Sequence, residues 1–419
     1  MKNLALIIFF LFLAHGTASS QSCLPEGITF TTQEQINNFQ TNYPGCTEIE
    51  GDVTISGDDN ITNLNGLNVL TAIGGYLSVW NNFTLTNLSG LDNVTSIGGD
   101  LKMDYNYALT SLTGLDNVTS IAGNLIIIGS GLTSIAELGN VASIGGGIEI
   151  FANGSLTSLV GLENITSIHG DLSVVLNISL TNLIGLDNLT FITGGLGIQE
   201  NFIINLSGLE NLESVGGGFF IGNNDELNDL SELTNLSSIG GQLTIGGNDV
   251  LSSLTGLNNL ISVGGLRITQ SPCLINLSGL NNLSSVANGI RIGDGSSNHS
   301  LTNLIGLESL NSIPGDLSIW SNPALISLAG LDNLDSIGGG LNIRNNPSLP
   351  SLIGLDNLTS IGNLTINNNN SLSSLTGLSN LTSIGEYAAF RNNSTLTNLT
   401  GLEGLTSIGG DFQFVTTPL

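Results

Sequence analysis

Residues 96–119 read SIGGDLKMDYNYALTSLTGLDNVT, and the pattern starts again at residue 120 with SIAGNLIIIGSGLTSIAELGNVA. In the quoted stretch Leu101 and Met103 alternate with polar neighbours, the mark of a strand with one buried face. Leu109, Leu112, Leu115 and Val118 then recur at every third position. A helix would need apolar residues at i, i+3, i+4 and i+7. The pattern instead fits short extended segments joined by bends, with Gly98, Gly99 and Gly114 at the corners. If these residues and Ile97 all point one way, the unit is a flat coil. A flat coil cannot cover its own apolar side, so coils must stack and share backbone hydrogen bonds and apolar contacts.

The apolar residue ahead of each glycine-rich turn tracks the repeat from Ile49, Ile73 and Ile97 to Ile384 and Ile408, in steps of 23 or 24 residues. One step of 27 separates Val286 from Ile313, where GDGSSNHS lengthens a loop between Gly293 and Ser300. The sequence predicts an all-β parallel solenoid of about fifteen coils of 23–24 residues, with an incomplete last coil and no linker inside the array. At about 4.8 Å per coil such a rod is about 70 Å long.

Composition narrows the function. The chain of 419 residues carries a net charge of −27, which argues against nucleic acid and anionic membrane surfaces as partners. A hydrophobic content of 40% argues against disorder. Past the N-terminus no apolar run approaches the ~20 residues that span a bilayer. Residues 1–20 read as a signal peptide: Lys2, an apolar run from Leu4 to Leu13, then small residues in HGTASSQ. The expected location is therefore secreted or cell surface. Residues 21–48 are expected to form an N-terminal cap and 49–419 the array. In an oxidising compartment Cys23 and Cys46 form a disulfide; lipidation of Cys23 is the alternative, although SSQSC lacks the usual apolar residue three positions earlier. Cys273 is expected as a small buried filler. TTQEQINNFQ fits a short capping helix, with Thr32 and Gln35 at capping-box spacing and Ile36 and Phe39 plugging the core. At the far end GGDFQFVTTPL stops midway through a coil.

An asparagine follows the first strand leucine by five residues at Asn82, Asn106, Asn153, Asn177, Asn201, Asn224, Asn248, Asn322, Asn346, Asn369 and Asn393. Its amide can bond backbone groups of neighbouring coils as an internal ladder. The resulting pattern, I-x-x-x-L-x-I-x-x-N-x-x-L, is one residue longer on each side than the leucine-rich repeat L-x-x-L-x-L-x-x-N-x-L. It resembles the receptor L domain, the leucine-rich-like solenoid of the insulin and epidermal growth factor receptors, over residues 23–419. The cysteine pair around a first helical turn, followed by I-x-G-x-V-x-I from Ile49 to Ile55, is similar to the entry of that domain. The resemblance implies a right-handed β-solenoid with a protein- or glycan-binding face. Receptor signalling does not carry over, because no Cys-rich module or kinase follows.

Residues between and beside the strand leucines should point outward. All five basic residues beyond the leader, Lys102, Arg267, Arg291, Arg344 and Arg391, fall there, with Trp80, Phe151, Phe220 and Trp320. Stacking demands repetition, whereas departures from it on one face suit recognition, and Arg and aromatics are common interface anchors. Arg267 and Arg291 share a slot in adjacent coils, about 5 Å apart, where they could grip a carboxylate or sulfate. These nine residues are the expected ligand-binding set.

Other readings are weaker. Acidic residues after the GL leucine, such as Asp92, Asp116, Glu163 and Asp187, suggest a calcium stripe, but solvated turn caps suit them better, and no metal or cofactor is expected. The serine row beginning Ser96, Ser120, Ser143 and Ser167 raises ice or surface binding, although backbone bonding is the simpler role. His169 and His299 belong to no zinc or triad motif, and Asp100, Asp104, Glu149 and Asp171 form a loose scatter. A polysaccharide-degrading β-helix enzyme is thus the third alternative, and a non-enzymatic adhesion or recognition protein the first. Sequons in DNVTS, ENITS and DNLTS arise from the repeat itself and would be glycosylated only in a eukaryotic secretory pathway.

Overall fold

The computed structural model describes residues 21–295 and 298–415. The leader assigned to residues 1–20 lies outside them. The chain winds into stacked coils, each passing through two rows of strands. One row is made of two-residue strands such as Ser96–Ile97 and Ser120–Ile121; the other of strands such as Leu77–Trp80, Leu101–Asp104 and Leu125–Ile128. Each pairs in parallel with its neighbour one coil away, like residue on like: Leu101 with Leu125, Leu125 with Ile148, Ile148 with Leu172. In four coils, including Ser238–Gly246 and Ser336–Arg344, one strand runs unbroken through both rows. Two faces of a single solenoid result.

The predicted inward set is the core. Ile97, Leu101, Met103, Leu109, Leu112, Leu115 and Val118 are all buried, as are their equivalents in coil after coil. The stacking is tight at the GL corner. Gly185 has φ +115°, and a Cβ there would stand 2.1 Å from the Leu159 carbonyl oxygen of the preceding coil. Only glycine suits both conditions. Two coils carry glutamate in this slot; their corners, Ala136–Leu138 and Ser231–Asn235, are 3-10 helices, as is Asn65–Leu67, which keeps Gly66 there. In glycine coils the leucine N–H of the previous coil donates to the carbonyl ahead of the glycine, as Leu183 does to Ser207 at 2.8 Å. Ahead of Glu232 the carboxylate supplies that acceptor instead, with Leu206 N at 3.4 Å from Oε2.

Polar side chains form ladders of their own. The eleven asparagines predicted to be internal are buried. Asn177 is typical: its Nδ2 donates to Ile150 O at 2.9 Å and Val175 O at 3.0 Å, while its Oδ1 accepts from Asn153 N at 3.1 Å. Asn298 continues the ladder across the insertion, and Ser130 and Ser271 fill two further slots. The acidic residues of the suggested calcium stripe are turn caps bonded to backbone: Gly90 N donates to Asp92 Oδ2 at 2.7 Å and Gly185 N to Asp187 Oδ2 at 2.8 Å. Among the described residues no group of three or more His, Cys, Asp or Glu could hold a metal ion. The sequon asparagines Asn93 and Asn117 donate to carbonyls of the previous coil at 2.7 Å. The hydroxyl ladder belongs to the threonines just before the serine row, since Thr95 and Thr119 donate to Thr71 O and Thr95 O. The serines themselves lie in the short strands, Ser96 in register with Ser120.

The N-terminal segment is already part of the stack. Ser22–Cys23 pairs with Glu48–Ile49, and Ile28–Phe30 with Val53–Ile55. Helix α1, Gln33–Asn37, carries the predicted Thr32–Gln35 capping box; α2, Phe39–Asn42, follows after a break at Asn38. Ile36 and Phe39 are buried under this cap, and Cys23 and Cys46 are disulfide-bonded with Cα atoms 5.7 Å apart. Cys273 corrects the expectation of a buried filler: it is free and exposed, in the turn after Ser271 and Pro272. In the last described coil Phe412, Phe414 and Val415 are exposed, with both rings against Phe390. Among the described residues no helix is long and apolar enough to cross a membrane.

Candidate recognition wall

The strands Leu77–Trp80 and Leu101–Asp104 have a buried–outward alternation, so their second and fourth residues face out. Parallel pairing in register stacks these positions into two columns along the rod. Lys102, Phe220, Arg267 and Arg291 occupy the column between the core residues. Trp80, Phe151, Trp320, Arg344 and Arg391 occupy the column after them. All nine residues singled out from sequence therefore share one wall, but they form three groups along it.

In the first group Lys102 Nζ lies 2.9 Å from Asp100 Oδ2 and 5.4 Å from the centre of the Tyr76 ring. The hydrogen bond to Asp100 holds the Lys102 ammonium above its usual pKa, against a smaller desolvation penalty. Burial pushes Asp100 up, but bonds from Asn124 N, Lys102 and the Asn124 amide outweigh it, leaving Asp100 below its usual value. Asp104, in register with Trp80, is shifted the other way: burial raises it, Lys102 opposes this, and the negative charge of Glu149 adds to it. Asp104 Oδ1 is buried without a hydrogen-bond partner. The second group is apolar, with Phe151 in register between Ile128 and Val175, and Phe220 covering Gly222.

The third group holds four of the five basic residues. Arg267 and Arg291 are in register, but they do not form the open pair expected from sequence. Arg267 Nη2 is 3.3 Å from Asp294 Oδ2, contributed by the lengthened loop. Arg291 turns the other way: its Nε bonds Gly293 O at 3.3 Å, and its guanidinium lies 5.2 Å from the centre of the Trp320 ring. Trp320 is in register with Arg344 in the next coil. Arg391 donates to Gln413 Oε1.

A further row beside the wall went unread in the sequence. Phe83, Tyr107, Ile178 and Phe202 are exposed, each following a ladder asparagine, and the Phe83 and Tyr107 rings stack 6.1 Å apart at 11°. The aromatic after Asn82, Asn106 and Asn201 was the available signal.

The receptor L domain family matches residues 45–116, and the BspA type leucine rich repeat region matches residues 321–418 in 6 copies. No curated protein matches the chain. Among solved structures, an internalin from Listeria monocytogenes aligns at 18% identity and TM-score 0.41, over 90% of this chain and 93% of that one. The TLR13–ssRNA13 complex aligns at 15% identity and TM-score 0.27, over 89% and 76%. Likenesses this weak carry no argument. The period, the buried asparagine ladder and the two family matches together identify the chain as a leucine-rich repeat protein.

Proposed function

We propose that this chain is an exported, non-enzymatic recognition scaffold, secreted or at the cell surface, that binds an extracellular protein or glycan through the wall carrying Trp80, Lys102, Phe151, Phe220, Arg267, Arg291, Trp320, Arg344 and Arg391. One observation carries this reading. Every described Lys and Arg side chain and both tryptophans lie on two adjacent columns of one face, while repeated polar residues elsewhere bond backbone of their own coil, as Asp92 does, or of the coil before, as Asn93 does. Export rests on the leader-like sequence of residues 1–20 and agrees with the Cys23–Cys46 disulfide. The test is a screen of the purified chain on protein and glycan arrays, repeated with Trp320→Ala and Arg344→Ala. Loss of the same hits in both variants supports the wall; hits indifferent to every wall substitution remove it.

A second reading has one observation in its favour. Burial raises the Asp104 pKa and the negative charge of Glu149 adds to it, and a carboxyl shifted toward its protonated form is one element of glycoside hydrolysis. Release of reducing ends from acidic polysaccharides, abolished by Asp104→Asn, would establish that reading in place of the first.

A further inference from the structure

Resting on the wall as the binding face, we infer that the stretch from Arg291 to Arg391 is a site for a linear acidic polysaccharide with one carboxylate or sulfate per disaccharide, lying along the rod. Ile290 pairs with Leu317, Leu317 with Leu341, Leu341 with Leu364 and Leu364 with Ala388. Arg291, Arg344 and Arg391 therefore stand two coils apart in each step, or about 10 Å at about 4.8 Å per coil. Arg291 belongs to the other outward column, but its guanidinium sits over Trp320, which is in the column of Arg344 and Arg391. The three arginines thus recur at every second coil of one face, with the Arg291 head drawn toward Trp320 and the Arg391 head toward Gln413.

The positions between them suit a sugar chain. Trp320 and Asn367 occupy the intervening coils of the Arg344 column, flanked by Ser318 and Asn342, while Thr365 in the column of those two is buried. Trp320 Nε1, Arg344 Nε and Asn367 Oδ1, in three successive coils, are buried and have no hydrogen-bond partner. Unsatisfied buried donors and acceptors are costly, and a ligand would complete them only where these side chains turn outward to meet it. Two shallow hollows of about 190 and 350 Å³ meet at Arg344. Opposing charge is limited: Asp316 Oδ1 already accepts from Gly340 N, and Asp411 flanks the far hollow beside Arg391. Trp320 and the arginines could anchor a protein as well, but a cation at every second coil with polar side chains between matches a repeating polymer.

The test uses the purified chain with hyaluronan oligosaccharides, which carry one carboxylate per disaccharide, and neutral cello-oligosaccharides of equal length. Calorimetry should show hyaluronan octasaccharide binding, weakened by salt. Tetrasaccharide, which reaches fewer arginines, should bind at least about tenfold more weakly. Arg344→Ala should lower octasaccharide affinity by at least about tenfold, with Arg344→Lys between, and Ile353→Ala, an exposed corner residue off the wall strands of the same coil, within about twofold. An unchanged melting curve for each variant excludes misfolding. Equal binding of neutral chains, or equal losses for Ile353→Ala and Arg344→Ala, overturns the inference. If a protein ligand is lost in Arg344→Ala while no acidic oligosaccharide binds, the inference fails and the wall stands. If no ligand of any class responds to wall variants, both fail.

Discussion

Asn177→Ala tests the internal ladder most directly. The side chain is fully buried between coils. Its removal takes a donor from the Ile150 and Val175 carbonyls and the acceptor from the Asn153 N–H, although Val175 O keeps the Ala152 N–H at 2.9 Å. Two lost hydrogen bonds at about 0.5–1.5 kcal/mol each and one buried N–H left unpaired at about 1–3 kcal/mol should together cost about 2–6 kcal/mol. The Asn177 backbone N–H keeps its own acceptor, Asn201 Oδ1, at 2.9 Å. The loss is therefore confined to the coil itself and the one before it. Asn177→Ser should be milder. Ser130 occupies the same slot two coils earlier and its hydroxyl still reaches Met103 O at 3.2 Å.

Global unfolding of a stacked array is not all-or-none when one coil is weakened, so a single midpoint would understate the effect. Amide hydrogen exchange followed by mass spectrometry resolves it: protection should fall most in residues 148–177 and remain in the distal coils. The order of loss should be Ala, then Ser, then wild type. A uniform change along the chain, or an Asn177→Ala cost under about 1 kcal/mol, would refute the claim that the asparagines hold coil to coil.

Gly185→Ala should destabilise by about 2–3 kcal/mol in urea denaturation, because φ is +115° and the new Cβ meets Leu159 O; Gly154→Ala, with nothing nearer than 3.6 Å, should be close to neutral. Glu200 is exposed yet held at φ +53°, so Glu200→Asn should stabilise by about 1 kcal/mol, read as a raised urea midpoint. Asp104 has a folded pKa above its ordinary 3.8, chiefly through burial, so the ionised form weakens the fold as pH rises through the folded value. Asp104→Asn should accordingly melt higher than wild type at pH 7, with the difference gone at pH 3.

The core was legible because its signal is periodic. Ile97, Leu101 and Leu112 recur in each unit, and burial follows the period. Asn298 was passed over since the insertion before it breaks the five-residue spacing that marks the other rungs. Cys273 was misplaced by reasoning from residue type; the repeat register aligns it with Thr84 and Ser155, both in surface turns. The left-handed residue ahead of each rung was not legible at all. Tyr105, Ala152, Leu176 and Glu200 have φ between 53° and 58° with no shared chemistry, because the ladder imposes a conformation their own preferences oppose. The wall was found by where rare residues fall, but not its internal pairing. Asp294 reaches Arg267 only because the lengthened loop brings a carboxylate to the strand.

The acidity of this chain follows from the same stacking that makes the wall. Each GL corner needs an acceptor for the glycine N–H. Asn258 and Asn281 supply it at 3.1 and 3.0 Å, and the aspartates at 2.7 Å (Asp92) to 3.0 Å (Asp356), most of them shorter than the amides. Charge-assisted bonds are shorter and stronger, so carboxylates are favoured at a position that repeats once per coil, and negative charge accumulates along that side of the rod. The caps lie about half a coil in sequence from the wall strands, as Asp116 does from Lys102. Charges further apart than about 8 Å are largely screened at physiological salt. An anion approaching the cap side is repelled, whereas one approaching Arg291, Arg344 and Arg391 meets their field. A net charge of −27 thus does not oppose an anionic ligand. It restricts such a ligand to the one side where the repeat has been broken by arginine.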